Sequence, residues 1–255
     1  MANNKRWVKN MQKQAAYTNL AEWFEYLNDD CDYENWSQYL ILKLSGYSLR
    51  EGLDVGCGGG WFTRAFAKHG YCMTGMDVSP QMLDFAQRQA LQTGVRTEYV
   101  LGDITKKKPQ KRFDFVTAIN DCINYVPKSK LSAAFKNVNG GLKKGGVFLF
   151  DISSPRKFAG KIANTVSVDD RDDVTYLSFN RIEGDTALMD VTLFVKEKGG
   201  NYSRQDETHV QYIYTEEEIL SALSANGFTP VAVEGHMGED KQHSDRLCFL
   251  AVKEG

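Results

Sequence analysis

Four glycines fall within five positions in Leu53-Asp54-Val55-Gly56-Cys57-Gly58-Gly59-Gly60-Trp61. Apolar residues run up to the glycines and resume after them, the pattern of a strand that ends and a helix that begins across one turn. Glycine at 56, 58 and 60 permits a tight turn, a positive φ and the approach of a ligand to bare main chain. As a merely flexible loop the run would be costly, because glycine gives up more backbone freedom on folding than any other residue. The turn alone does not choose its ligand. Dinucleotide proteins carry G-x-G-x-x-G with an acidic residue about 20 positions on. Here the spacing is Gly56-x-Gly58-x-Gly60, with Asp54 before it and Asp77 closing the next apolar stretch.

Asp121, beside Asn120, follows another apolar stretch and is the side chain best suited to act as a catalytic acid or base. A carboxylate titrating near 4 is a poor base for an alkylammonium near 10, so orienting an amine and stabilising its charge suits it better. Tyr125, His209 and Arg181 are further candidates to face a substrate. The histidines at 69, 209, 236 and 243 lack zinc-site spacing, so no metal centre is expected. Cys57 and Cys122 read as small buried residues.

These residues need elements to hold them. From residue 50, strand-like segments at 51–55, 71–76, 96–101, 113–118 and 147–151 alternate with helical stretches at 61–68, 80–92 and 127–140. Such alternation, with apolar strands, predicts a doubly wound, mainly parallel α/β sheet. Extended segments at 173–182, 186–197 and 202–213, joined by Glu183-Gly184-Asp185 and Lys198-Gly199-Gly200-Asn201, predict an antiparallel insert. A capping box at Thr215 and Glu218 opens a helix that ends at Asn226-Gly227, and strands at 229–234 and 246–252 close the chain. Before residue 45, the spacing of Tyr17, Leu20, Phe24 and Leu27, then of Trp36, Leu40 and Leu44, predicts two amphipathic helices.

Asp54-x-Gly56-x-Gly58-x-Gly60 resembles motif I of the class I S-adenosylmethionine-dependent methyltransferases, and four further segments fall in that family's order. Met76-Asp77-Val78-Ser79-Pro80-Gln81-Met82 resembles the end of its second strand, Gly102-Asp103-Ile104 the end of the third, and 113–121 its motif IV. Leu142-Lys143-Lys144-Gly145-Gly146-Val147 is similar to the turn before the fifth strand. Tyr17-x-x-Leu20-Ala21-x-x-Phe24-Glu25, Tyr33-x-x-Trp36 and Asp121-Cys122-Ile123-Asn124-Tyr125 resemble a bacterial small-molecule branch related to glycine and aminosugar N-methyltransferases.

The resemblance implies a Rossmann-like, seven-stranded fold with a helical lid at 1–45, a core at 46–152 and 214–255, and a β insert at 153–213 over the active site. S-adenosylmethionine would be the cofactor and S-adenosylhomocysteine its product. Implied cofactor contacts are Tyr17, Asp54, Gly56, Cys57, Gly58, Gly60, Asp77, Val78, Met82, Gly102, Asp103, Ile104 and Asn120. Asp77 would hold the ribose hydroxyls and Asp103 the adenine amine. Phe24, Tyr33, Trp36, Asn124 and Tyr125 would form the lid and substrate side, with Asp121 and Asn120 at the methyl-transfer zone.

Composition narrows the partners. The 255 residues carry 42% hydrophobic and 25% charged side chains, enough for a sizeable core in one large domain. Net charge is −2, which removes the global basic field nucleic-acid binders use. The basic run of Lys106, Lys107, Lys108, Lys111 and Arg112 reads as a solvated loop. Between Gln14 and Leu42 there are six acidic residues and no Lys or Arg, and three of four tryptophans lie in the first 36 positions. That suits either a solvated helix face with packed aromatics or a lid over a cationic amine. Odd cysteine count, no C-x-x-C, no signal-peptide pattern in MANNKRWVKN and no long apolar run favour a reduced, cytoplasmic chain off the membrane. A small-molecule substrate, among which an amine is favoured, is the expected partner; oligomeric state is not legible. Alternatives are a non-catalytic S-adenosylmethionine-binding module, an RNA methyltransferase and, last, an NAD-dependent dehydrogenase.

Overall fold

Two short helices, α1 (Phe24–Leu27) and α2 (Tyr33–Leu44), precede the sheet in this computed structural model, which describes residues 16–255. The N-terminal readings at 1–15, Trp7 among them, lie outside the described residues. The chain continues through β1 (Glu51–Val55), α3 (Trp61–Lys68), β2 (Cys72–Asp77), α4 (Pro80–Thr93), β3 (Glu98–Leu101), β4 (Phe113–Ala118), α5 (Leu131–Gly141) and β5 (Leu142–Ser153). A single turn, α6 (Pro155–Lys157), leads into the insert strands β6 (Val166–Asp170), β7 (Val174–Glu183), β8 (Thr186–Lys196) and β9 (Tyr202–Tyr212). Then come α7 (Glu216–Ala225), β10 (Phe228–Gly235) and β11 (Arg246–Lys253).

The main sheet has seven strands in the order β10-β11-β5-β4-β1-β2-β3, and only β11 runs against its neighbours. The insert is a separate four-stranded antiparallel sheet in sequential order. This is the doubly wound, mainly parallel architecture expected from the strand–helix alternation, with the seven strands that the resemblance implied. Strand order reverses between β1 and β4, which opens a crevice at their carboxyl ends where α/β proteins bind ligands. The helices flanking that crevice start where local chemistry dictates. Ser79 accepts the Met82 N–H and Pro80 sits at the first position of α4, while Thr215 and Glu218 cap α7 reciprocally. An aromatic column anchors the sheet: Phe150 stacks on Phe148 at 4.4 Å and on Phe249 at 5.0 Å, all buried.

Three departures have physical causes. The stretch from Tyr17 to Leu27 is not one amphipathic helix: Tyr17 takes φ 62°, Leu20–Glu22 form a 3-10 turn, and α1 is a single turn. The Glu207 carboxylate accepts the N–H groups of Tyr17, Asn19 and Leu20 in place of helical carbonyls, and Leu20 packs on Val174, Val191 and Leu193 of the insert. The second segment is α2 as expected, but Trp36, Leu40 and Leu44 join Phe62 and Phe66 in the core rather than covering the crevice. Strand β6 was not expected, because Val166 and Val168 lie exposed on an edge with no buried face to impose alternation.

Candidate active site

The glycine turn, β2 and the loop after β3 form one end of a cavity of about 370 Å³. Gly56 has φ 65°, and a Cβ there would lie 2.2 Å from Cys122 Sγ. A side chain is excluded by both conformation and space. Gly58 donates its N–H to Asp77 Oδ2 at 2.9 Å, and Ser79 donates to Oδ1 at 2.8 Å, so two main-chain donors fix the carboxylate at the cavity wall. Burial pushes the Asp77 carboxyl above its usual range, against the pull of those N–H groups. Beneath the turn, Asp54 accepts from Thr63 Oγ1 at 2.6 Å and Thr117 Oγ1 at 2.9 Å. With no cation beside it, burial drives its carboxyl up to about 6 despite the two hydroxyls. Asp103 behaves oppositely. Burial opposes its ionisation, but Thr105 and Lys106, bonded to it, hold it below the usual carboxylate range.

The other end is made of side chains from distant segments. Asn120 and Asp121 both adopt positive φ, 63° and 54°, a strained pair for residues other than glycine. Asp151, fully buried, holds them by accepting the Asn120 N–H at 3.1 Å and the Asp121 N–H at 2.7 Å. Arg246 completes the corner: it reaches Asp151 at 3.0 Å, Asn120 Oδ1 at 3.0 Å and Asp121 at 3.4 Å, and lies 4.7 Å over the Trp36 ring. Gln211 donates to the other Asp121 oxygen. Tyr17 Oη lies 2.9 Å from Tyr125 Oη, which lies 2.9 Å from His209 Nδ1, and His209 Nε2 is 2.6 Å from Glu207.

A family model described as a methyltransferase domain matches residues 53–146. Over 244 residues the chain is 30% identical to the putative methyltransferase YqeM of Bacillus subtilis, covering 93% of this chain and 97% of that one. The crystal structure of an S-adenosylmethionine-dependent methyltransferase from Clostridium acetobutylicum matches with TM-score 0.84 at 28% identity, over 94% of this chain and 99% of that one. The chain belongs to the S-adenosylmethionine-dependent methyltransferases. The sugar N-methyltransferase KedS8 from a Streptoalloteichus species shares the fold, with TM-score 0.78 at 20% identity over 100% of this chain and 99% of that one.

The residues of this methyltransferase fit its cofactor. A Cβ at Gly58 would meet only Met82 Cε at 3.8 Å, so bare main chain faces the cavity there. The Trp61 indole N–H, in the cavity wall, is buried without a partner, a donor left over for a ligand. Of the sequence-derived candidates, Tyr17, Phe24, Tyr33, Asp54, Gly56, Cys57, Gly58, Asp77, Val78, Met82, Gly102, Asp103, Ile104, Asn120 and Tyr125 line this one cavity. Four others do not. Gly60 is needed for packing, since a Cβ there would lie 2.4 Å from Tyr99 Oη. Asn124 spends its amide on Tyr212 O at 2.9 Å and on the Ser153 N–H at 2.8 Å, so it ties β5 to β9 rather than meeting a substrate. Trp36 lies under Arg246, and Asp121 is engaged by Arg246 and Gln211 behind the wall.

Arg181 pairs with Glu183 and Asp190 away from the cavity, and no metal-holding cluster occurs among the described residues. In the basic run, Lys106 pairs with Asp103 and Lys111 with Glu98. Sequence reasoning missed Asp151, Arg246, Glu207 and Gln211. Asp151 was open to discovery, because it ends the apolar stretch read at 147–151 much as Asp77 ends the one before it; the others carry no local signal. Glu25 is also part of the cavity wall, ion-paired to Arg64 at 3.0 Å, and burial raises its carboxyl despite that partner.

Proposed function

We infer that this enzyme moves a methyl group to nitrogen or oxygen of a small molecule by in-line displacement. The observation that carries the reading is the continuity of one cavity from the Gly58–Asp77 pair to Tyr17 and Tyr125. Tyr17 and Phe24, from the segment seated on the insert, form part of its wall, an enclosure that favours a small acceptor over a polymer strand. KedS8, a sugar N-methyltransferase of the same fold, supports a small-molecule acceptor.

Gly56 and Gly58 would grip the cofactor by main chain, Asp77 its ribose and Asp103 its adenine. Bound S-adenosylmethionine supplies a methyl on a sulfonium, whose sulfur keeps the bonding electrons when the methyl leaves. The chain's own task is to hold the acceptor in line and to keep water out, which can contribute roughly 7–11 kcal/mol without any covalent enzyme intermediate. Asn120 borders the site, and Asp121, held behind it by Arg246 and Gln211, would fix the corner against which a cationic or hydroxyl acceptor is oriented. A cytosolic setting accords with five cysteines, none in a disulfide, and no described helix is long and apolar enough to cross a membrane.

The test is cell extract incubated with methyl-labelled S-adenosylmethionine and separated into small-molecule and RNA fractions. Label in the small-molecule fraction is expected. Label confined to RNA, or tight S-adenosylhomocysteine binding with no transfer to either fraction, overturns the assignment.

A further inference from the structure

Glu207 and His209 stand two apart on β9, so both project from one face of the insert sheet, and both are buried. Neither lines the cavity, yet both connect to it. Glu207 accepts from His209 at 2.6 Å and from the main chain of Tyr17 at 3.1 Å and Asn19 at 2.9 Å. Burial opposes its charge, but His209 and those N–H groups win and hold its carboxyl below the usual range. An ionised Glu207 can only accept, so in the neutral imidazole Nε2 carries the hydrogen and Nδ1 keeps its lone pair. Tyr125 must then donate to Nδ1, at 2.9 Å. That uses its one hydrogen, so Tyr17 is the donor in the 2.9 Å contact between the two phenols. Every hydrogen in the chain points inward, toward Glu207. Tyr17, a residue of the cavity wall, stands at the outer end, and its hydroxyl has only lone pairs left to offer.

We propose that Tyr17, Tyr125, His209 and Glu207 form the proton exit for the methyl acceptor. This rests on the methyl-transfer reading above. The acceptor's N–H or O–H bond breaks as it gains the methyl, and its proton goes to Tyr17 Oη. The Tyr17 proton moves to Tyr125 Oη and the Tyr125 proton to His209 Nδ1, leaving an imidazolium held against the Glu207 carboxylate. Water entering after product release takes the proton back along the same path. Tyr17 touches the acceptor and is the catalytic residue; Tyr125, His209 and Glu207 act through it. The other ionisable groups facing the chain are Asp121 and Asp77 from the main sheet and Tyr176 from β7.

Long-range proton–nitrogen NMR on the full chain saturated with S-adenosylhomocysteine tests the hydrogen order directly. His209, assigned through His209→Asn, is expected to carry its hydrogen on Nε2 wherever its spectrum is that of a neutral imidazole; a neutral Nδ1–H tautomer overturns the proposal. The second measurement is the rate of methyl transfer to the small-molecule fraction of cell extract at limiting acceptor. Tyr125→Phe and His209→Asn should be about 100-fold slower, within the range for lost general-base assistance, with S-adenosylhomocysteine affinity within threefold of wild type. The wild-type to His209→Asn rate ratio should fall under conditions where NMR shows both His209 nitrogens protonated. A ratio constant across pH reduces the chain to packing and overturns the proposal. If the wild type labels no small molecule, the acceptor reading fails and the exit route with it, whichever tautomer NMR reports.

Discussion

At the carboxyl end of β1 the cavity of this methyltransferase is walled by main chain, whereas around β4, β9 and β11 it is walled and braced by side chains. The first region spans residues 54–60 and 77–79, and the donors that aim Asp77 are backbone N–H groups of Gly58 and Ser79. The second gathers Tyr17, Asp121, Tyr125, Asp151, His209 and Arg246, whose partners lie up to 190 positions apart in the chain. One region is a local turn whose conformation glycine dictates. The other exists only once the insert and β11 have docked. Its carboxylates also differ: buried Asp151 has a guanidinium beside it, while buried Asp54 has two hydroxyls and no cation.

The largest effect expected from breaking this contrast is at Asp151. Asp151→Ala leaves Arg246 buried without its principal partner and removes the acceptor for the Asn120 and Asp121 N–H groups. Removing one member of a buried ion pair costs about 3–5 kcal/mol. Chemical denaturation should report a loss of that size; a loss under 1 kcal/mol would mean that the strained corner holds itself.

Asp54 offers a pH-dependent comparison. Its folded carboxyl is pushed up to about 6, above an unfolded value near 4. Between these values the unfolded chain is charged while the folded chain keeps the proton, so stability falls as pH rises through roughly 4 to 6 and levels off above. Asp54→Asn removes the titration. Its stability relative to wild type should improve across that window by on the order of 3 kcal/mol, measured as the difference in Tm between the two proteins at each pH. A difference independent of pH would show that Thr63 and Thr117 hold the carboxylate ionised.

The same contrast explains what the sequence made legible. The glycine turn, Asp77 and the alternation of strand and helix follow from short-range signals: a tight turn favours glycine, Asp77 closes an apolar stretch, and Thr215 with Glu218 opens a helix; Asp103 and the count of seven strands were legible only through the family resemblance. The insert was legible as a meander because its turns are local, but its edge strand β6 was not. What escaped were pairings across the fold. Glu207 and Gln211 look like ordinary polar positions of a strand, and nothing near Arg246 signals that it will reach Asn120, Asp121 and Asp151. The single helix expected over 17–27 failed for a related reason: its capping carboxylate comes from 207, beyond the reach of any periodicity.

Asp77→Ala sharpens the comparison from the cofactor side with the smallest of these effects. Two charge-assisted hydrogen bonds from a ribose to this carboxylate would each be worth about 1.5–3 kcal/mol. The net loss is smaller, because water replaces the carboxylate and solvates the freed Gly58 and Ser79 N–H groups, while the glycine turn keeps its own contacts. Titration calorimetry with S-adenosylhomocysteine should therefore show affinity weakened about tenfold, or ~1.4 kcal/mol, with stability largely retained. An unchanged affinity would take Asp77 out of the site and leave the main chain of the turn to hold the cofactor alone. A loss of binding together with unfolding would instead make the carboxylate a brace for the turn, and the two ends of the cavity would then both depend on buried acids.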